Sequence, residues 1–101
     1  MRLRRLESRQ IDHFGSHGFT HTRIGTGELH VSLVELDGLI GGHDAVSTQV
    51  LAVIRGRVEV STRDDRAELG VGDAVEWQEG EWHETRSLEK SRVLLIEGEF
   101  E

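Results

Sequence analysis

Apolar and polar residues alternate along much of this chain with a period of two. The 3.6-residue period of a helix is nowhere sustained. Glu28 to Leu36 (E-L-H-V-S-L-V-E-L) is the first clear run. As a strand it puts Leu29, Val31 and Leu33 on one face and His30, Ser32, Val34 and Leu36 on the other. Gln49 to Arg55 (Q-V-L-A-V-I-R) is the most apolar run, and Gly56 ends it. Arg57 to Thr62 alternates as R-V-E-V-S-T and is expected to be the hairpin partner of the run before it. Asp73 to Trp77 and Ser91 to Glu97 read as two more strands, and Arg2 to Glu7 and Phe19 to Ile24 as weaker ones. Turn signals separate them: Gly15-Ser16-His17-Gly18, Gly25-Thr26-Gly27, Asp37-Gly38 and Arg63-Asp64-Asp65-Arg66. Short strands at regular spacing with glycine between them predict an all-β sandwich or closed barrel rather than βαβ units. The 101 residues form one expected domain, 1–101, with no linker, repeat or low-complexity segment.

Composition narrows the partners. The chain carries 12 Lys and Arg against 19 Asp and Glu, a formal net charge of −7. Nucleic acid and anionic membrane surfaces need clustered cations, so neither is expected as a partner. Arg2, Arg4, Arg5 and Arg9 are the one basic cluster. With no aromatic residues among them they read as a solvated strand face rather than a phosphate site. There is no cysteine, which excludes disulfides, thiolate ligands and cysteine nucleophiles. No apolar run approaches the ~20 residues needed to span a bilayer. Met1-Arg2-Leu3-Arg4-Arg5-Leu6 lacks the apolar core of a signal peptide. A soluble cytoplasmic protein is the expectation.

Gly72 to Ser87 (G-D-A-V-E-W-Q-E-G-E-W-H-E-T-R-S) is the stretch with the most specific design. A short strand ends at Trp77, a turn forms around Gly80, and His83 opens the next strand. A glycine turn that delivers a histidine to the start of a strand aims an imidazole at a particular place. A second segment complements it: His43, six residues on Gln49, then Gly56.

Together these segments resemble the paired motifs of the cupin superfamily. The first family motif runs glycine, five residues, His-x-His, three or four residues, Glu, six residues, glycine. The second runs glycine, five residues, Pro-x-Gly, two residues, His, three residues, Asn. Gly72, Gly80 and His83 match the second motif in spacing, with Gln78 for the proline and Ser87 for the asparagine. His43, Gln49 and Gly56 match three positions of the first. Ala45 stands at its second histidine, and Gly38 is one residue too close to serve as its leading glycine.

The resemblance implies a single-domain jelly-roll β-barrel whose mouth holds a divalent metal, in the family through three histidines and one glutamate. It also implies a homodimer, which the apolar Val50, Ala52, Ile54 face supports. This chain would offer His43, His83 and the Gln49 amide. Two imidazoles without an anionic ligand suit Zn, Ni or Cu better than Mn or Mg, and Fe is a further candidate. If residues 43 to 53 formed one unbroken strand, His43, Gln49 and Leu51 would share a face; a bulge or turn near Asp44 would break that parity. Trp77, Trp82 and His30 are candidate pocket walls, and His21 or His30 could add a ligand. Structural readings stand beside these. His43 could be a rim histidine, His83 a core histidine bonded to Gln49 or a carbonyl, and the tryptophans plain core. Three functions follow: a metal-dependent enzyme acting on a small molecule, a metal-free small-ligand barrel, or a structural dimer with a relict pocket.

Overall fold

The computed structural model describes residues 1–25 and 27–99. Nine strands form: β1 (Ser8–Gln10), β2 (His17–Gly25), β3 (Leu29–Asp44), β4 (Gln49–Arg55), β5 (Arg57–Ser61), β6 (Arg66–Gly70), β7 (Ala74–Trp77), β8 (Trp82–Ser87) and β9 (Ser91–Gly98). One 3₁₀ turn, His13–Gly15, separates β1 from β2. The order in the sheet is β6-β5-β8-β3-β9-β4-β7, with β2 also on β3 and β1 on β2, and every pairing is antiparallel. The result is a nearly closed all-β barrel.

Alternation fills the barrel. Val34, Val93 and Val53 form one inward row across β3, β9 and β4, and Ser32, Leu95 and Leu51 form the next. The even residues Ser32, Val34 and Leu36 are buried, as the period of two requires, and Val58 and Val60 close the core from β5.

Several expected boundaries move, each for a local reason. Residues 2–7 form no strand; pairing with β2 begins at Ser8. Asp37-Gly38 is no turn, because β3 runs straight through it. Gly38 is needed instead for close approach, since a Cβ there would overlap the His17 carbonyl of the neighbouring strand. β4 and β5 do not pair as a hairpin. Only Gly56, at φ +85°, separates them, and one residue cannot make a two-residue hairpin loop. The chain instead crosses over, so β4 pairs with β7 and β9 while β5 pairs with β6 and β8.

Nor do residues 43 to 53 form one strand. β3 ends at Asp44, and β4 starts at Gln49 after a short loop. His43 faces inward by another route. Ile40 is an inward even residue, and the register against β8 shifts between Ile40 and His43. The bulge is Gly41-Gly42, and it converts even-in to odd-in, so that His43 follows the core face rather than opposing it.

Leu51 is 1% exposed in the middle of this packing. Leu51→Ala is expected to lower the unfolding free energy by about 2–5 kcal/mol. The exposed Val46→Ala should change it by less than ~0.5 kcal/mol. Urea denaturation followed by far-ultraviolet circular dichroism measures both.

Candidate functional site

Four rings stack at the mouth of the barrel. Phe14 lies on His43, with centroids 4.7 Å apart and planes at 13°. His43 meets His83 at 4.6 Å and 57°. Trp77 backs His83 at 4.1 Å and 20°. The strand register explains the centre of the stack, because His43 on β3 sits directly opposite His83 on β8. Gln49 enters from β4, opposite Trp77 on β7 and Glu97 on β9.

Backbone carbonyls fix both imidazoles. The His43 Nδ1–H donates to the Gly41 carbonyl at 2.8 Å. The His83 Nδ1–H donates to the Glu81 carbonyl at 3.1 Å. A carbonyl oxygen can only accept, so the proton of each neutral ring sits on Nδ1 and the Nε2 lone pair is left available. Burial pushes the His83 pKa below its ordinary value and the nearby His43 pushes it further down, against the opposing pull of its hydrogen bond to Glu81. Gln49 is 7% exposed and lines the same space. Two imidazoles, each anchored through Nδ1, and one amide therefore line the same cavity.

These groups line a cavity of about 270 Å³. Its body is apolar, from Ile11, Phe19, Ile40, Leu51 and Leu95. Arg9, His13, His21 and Glu97 add polar and charged groups to the wall. The segment carrying Phe14 partly covers the opening. Gly41 N–H donates to the buried Ser16 Oγ at 2.9 Å, and a Cβ on Gly41 would overlap the Phe14 carbonyl. Phe14 itself is held at φ +58°, a left-handed conformation that is rare for a bulky residue.

Other candidate residues lie elsewhere. Trp82 does not line the cavity. It neighbours His83 on a strand, so the two side chains face opposite ways; Trp82 packs over Gly42, with the Arg63 guanidinium 5.1 Å from its ring. Trp77 is 2% exposed and serves the site from behind, through its stack on His83, rather than as a wall. His30 is exposed near the start of β3, opposite Glu97, and is not among the residues lining the cavity. Ala45, at the position where the family resemblance implies a ligand, is buried and locked to the Gly80 turn. Its N–H donates to the Glu81 carbonyl and its carbonyl accepts from Gly80 N–H. Among the described residues no group of three His, Cys, Asp or Glu stands close enough to hold a metal.

Sequence reasoning missed Arg9, Phe14 and Glu97. Arg9 was legible as part of a basic cluster, and Phe14 as an aromatic beside a glycine turn. Neither signal says that the segment folds back over the mouth.

Two solved structures carry the same architecture under a cupin name. A cupin-2 domain protein from Shewanella frigidimarina superposes with a TM-score of 0.67 at 21% identity, covering 74% of each chain. An RmlC-like cupin from the same organism gives 0.75 at 19%, covering 79% of this chain and 75% of its own. This chain has the cupin fold. KdgF from a Halomonas species shares it, with a TM-score of 0.74 at 24% identity over 83% of this chain and 82% of that one. No family model and no curated protein sequence matches the chain. No helix among the described residues is long and apolar enough to cross a membrane.

Within this cupin barrel His83 and His21 bring a pH dependence to stability. Burial lowers both pKa values, with Arg23 and Arg9 lowering His21 further and Glu97 opposing them. Below the ordinary imidazole value the unfolded chain binds more protons than the folded one, so stability rises with pH there. The contribution is complete above about 6.5 and is lost as pH falls from that value towards the lowered folded pKa values. The urea midpoint should fall between about pH 7.5 and about pH 5.5, and more shallowly in His83→Gln.

Proposed function

We propose that the barrel mouth binds a divalent transition metal through His43 and His83, with the Gln49 amide as third donor, and holds a small organic molecule beside it. One observation carries the proposal: two adjacent imidazoles, 4.6 Å apart between centroids, line one cavity, and each has its Nδ1 engaged by a backbone carbonyl, which leaves Nε2 as the available donor. Metal-binding histidines are held in this way by the partner of their other nitrogen. The donor set fits an imidazole-preferring cation, Zn, Ni or Cu. It is poor for Fe in a site of two histidines and a carboxylate, because Gln49 takes the place of the acid. A bound metal would supply Lewis acidity to polarise a ligand oxygen. The protein's own part is to fix both imidazoles through Nδ1, to hold the His83 pKa down by burial and to cover the chamber with Phe14.

A second reading takes the ligand without metal, through hydrogen bonds to the same two Nε2 atoms and to Gln49. Ala45 favours it, since the described residues offer no third anionic or imidazole ligand. Elemental analysis of untagged protein, and titration with Zn, Ni and Cu, separate the two readings. Under the metal reading the parent holds near-stoichiometric metal, His43→Ala and His83→Ala lose it, and Gln49→Glu binds more tightly by supplying an anionic oxygen. Absence of metal from the parent after soaking leaves the metal-free reading.

We also propose that the protein is a homodimer, paired through the outer face of the sheet. A one-sided sheet should be polar outside. Here the outward rows are Val31, Ile96 and Val50, then Leu33, Leu94 and Ala52, on three hydrogen-bonded strands, with the exposed Ile54 beyond. Light scattering should give twice the 11.4 kDa chain mass, and a Leu94→Arg, Ile96→Glu double variant should be monomeric with an unchanged circular dichroism spectrum.

A further inference from the structure

The basic residues of this acidic chain are not spread evenly. Arg2, Arg4, Arg5, Arg9 and Arg23 line one open groove, with His21 on its wall and Glu7 its one carboxylate. These are five of the chain's 12 Lys and Arg, in a molecule of net charge −7. Ion pairs could have explained the gathering, but they do not. Among the described residues the side-chain ion pairs are Arg57 with Glu68 and Arg92 with Glu35, and none involves a groove arginine. Arg4 is the one that is tied down, donating to the Ile24 carbonyl at 3.0 Å. Five like charges gathered on one exposed groove with so little compensation make a positive field that draws anions to it.

The position of the groove says what joins them. Arg9 and His21 are paired residues of β1 and β2, and both line the groove and the barrel cavity at once. The two spaces therefore meet at Arg9. Glu97 also stands at this junction and offsets part of the field. The rest of the cavity wall is apolar along Ile11, Phe19, Ile40, Leu51 and Leu95, and His43, His83 and Gln49 line the same space. The volume of about 270 Å³ is compact; pockets for drug-sized molecules run to roughly 300–1,000 Å³.

We infer that the ligand of this barrel is a small organic anion with an apolar body, its acidic group held at Arg9 and Arg23 and its body in the barrel, reaching towards His43 and His83. This deepens the proposed function and rests on its placing a ligand in the cavity. The shared chemistry is an anionic oxygen cluster on a compact hydrocarbon, whether carboxylate or phosphate ester. Guanidinium groups suit both, because their forked N–H groups meet two oxygens together.

Calorimetric titration of the full chain with matched pairs tests this. The probes are 3-phenylpropionate against 3-phenylpropionamide and hexanoate against hexanamide, with phenyl phosphate as the ester arm. Each is run on chelator-stripped protein and on protein preincubated with Zn. The acids should bind at least about tenfold more tightly than their amides in stripped protein, as charge-assisted bonds are stronger than neutral ones. The preference should shrink at high salt, where such charges are screened. Arg9→Gln and Arg23→Gln should each reduce the acid's affinity and leave the amide's unchanged, with melting temperatures held to show that both variants fold. Phenyl phosphate binding above the carboxylates makes the anion an ester, and the reverse makes it a carboxylate; either supports the inference. Absence of acid preference in both pairs, including absence of binding, overturns it. So does a preference that appears only with Zn, survives both arginine substitutions and disappears in His83→Ala. That last result would leave the metal reading standing, whereas an arginine-dependent preference in protein that takes up no metal would do the reverse.

Discussion

Two absent side chains decide where the imidazoles point. At Gly41 the Phe14 carbonyl occupies the space a Cβ would fill, and at Gly42 the Trp82 ring does so from the opposite side. The strand is pinched between a covering segment and an aromatic ring, and it answers with a register shift. That shift is what lets one continuous strand, β3, serve two purposes. Its first half packs valine and leucine against β9, and its last residues deliver His43 to face His83. Any side chain at either glycine would push the covering segment out or the ring away, and the alignment of the four rings would go with it.

Polar groups stand around an apolar wall in the cavity. His43 and His83 face each other with each Nδ1 spent on a backbone carbonyl, and Arg9 and His21 stand where the arginine groove meets the same space. Low-dielectric walls sharpen the field of whatever charge sits beside them. Burial first, then Arg23 and Arg9, account for the direction of the His21 shift, against the opposing pull of Glu97.

Much of the barrel was legible because it follows from a period of two. β4 spans the residues its apolar run marks, and the inward set Ser32, Val34, Leu36 on β3 is the one that alternation selects. Gly80, His83 and His43 were legible as chemistry because a turn glycine ahead of a histidine is a local signal. What could not be read was non-local. Asp37-Gly38 carries turn chemistry, yet Gly38 serves the approach of β2 at His17, well before it in the chain. Arg57 to Ser61 alternates like a hairpin partner, yet a single glycine throws it onto the other side of the barrel. Trp82 is a different case. Adjacency to His83 suggested a shared wall, but alternation on β8 already sends neighbours to opposite faces. The arginines of residues 2–9 read as a solvated face for want of any sign that the segment borders the mouth.

The place of β9 in the sheet has a kinetic consequence. β9 follows every other strand in sequence, yet it lies between β3 and β4 and pairs with both along nearly their whole shared length. Until it arrives, the residues of β3 and β4 that it joins have no partner on that side, and Leu51, Val53 and Val34 lack the valine and leucine rows that cover them. The earlier strands can form β5–β6 and β2–β3 as local hairpins, but not the barrel. Closure is therefore a late, long-loop event of the kind that slows β proteins and leaves apolar edges open to other chains meanwhile. A ribosome-bound chain stalled before Ser91 would be a sticky intermediate rather than a smaller barrel.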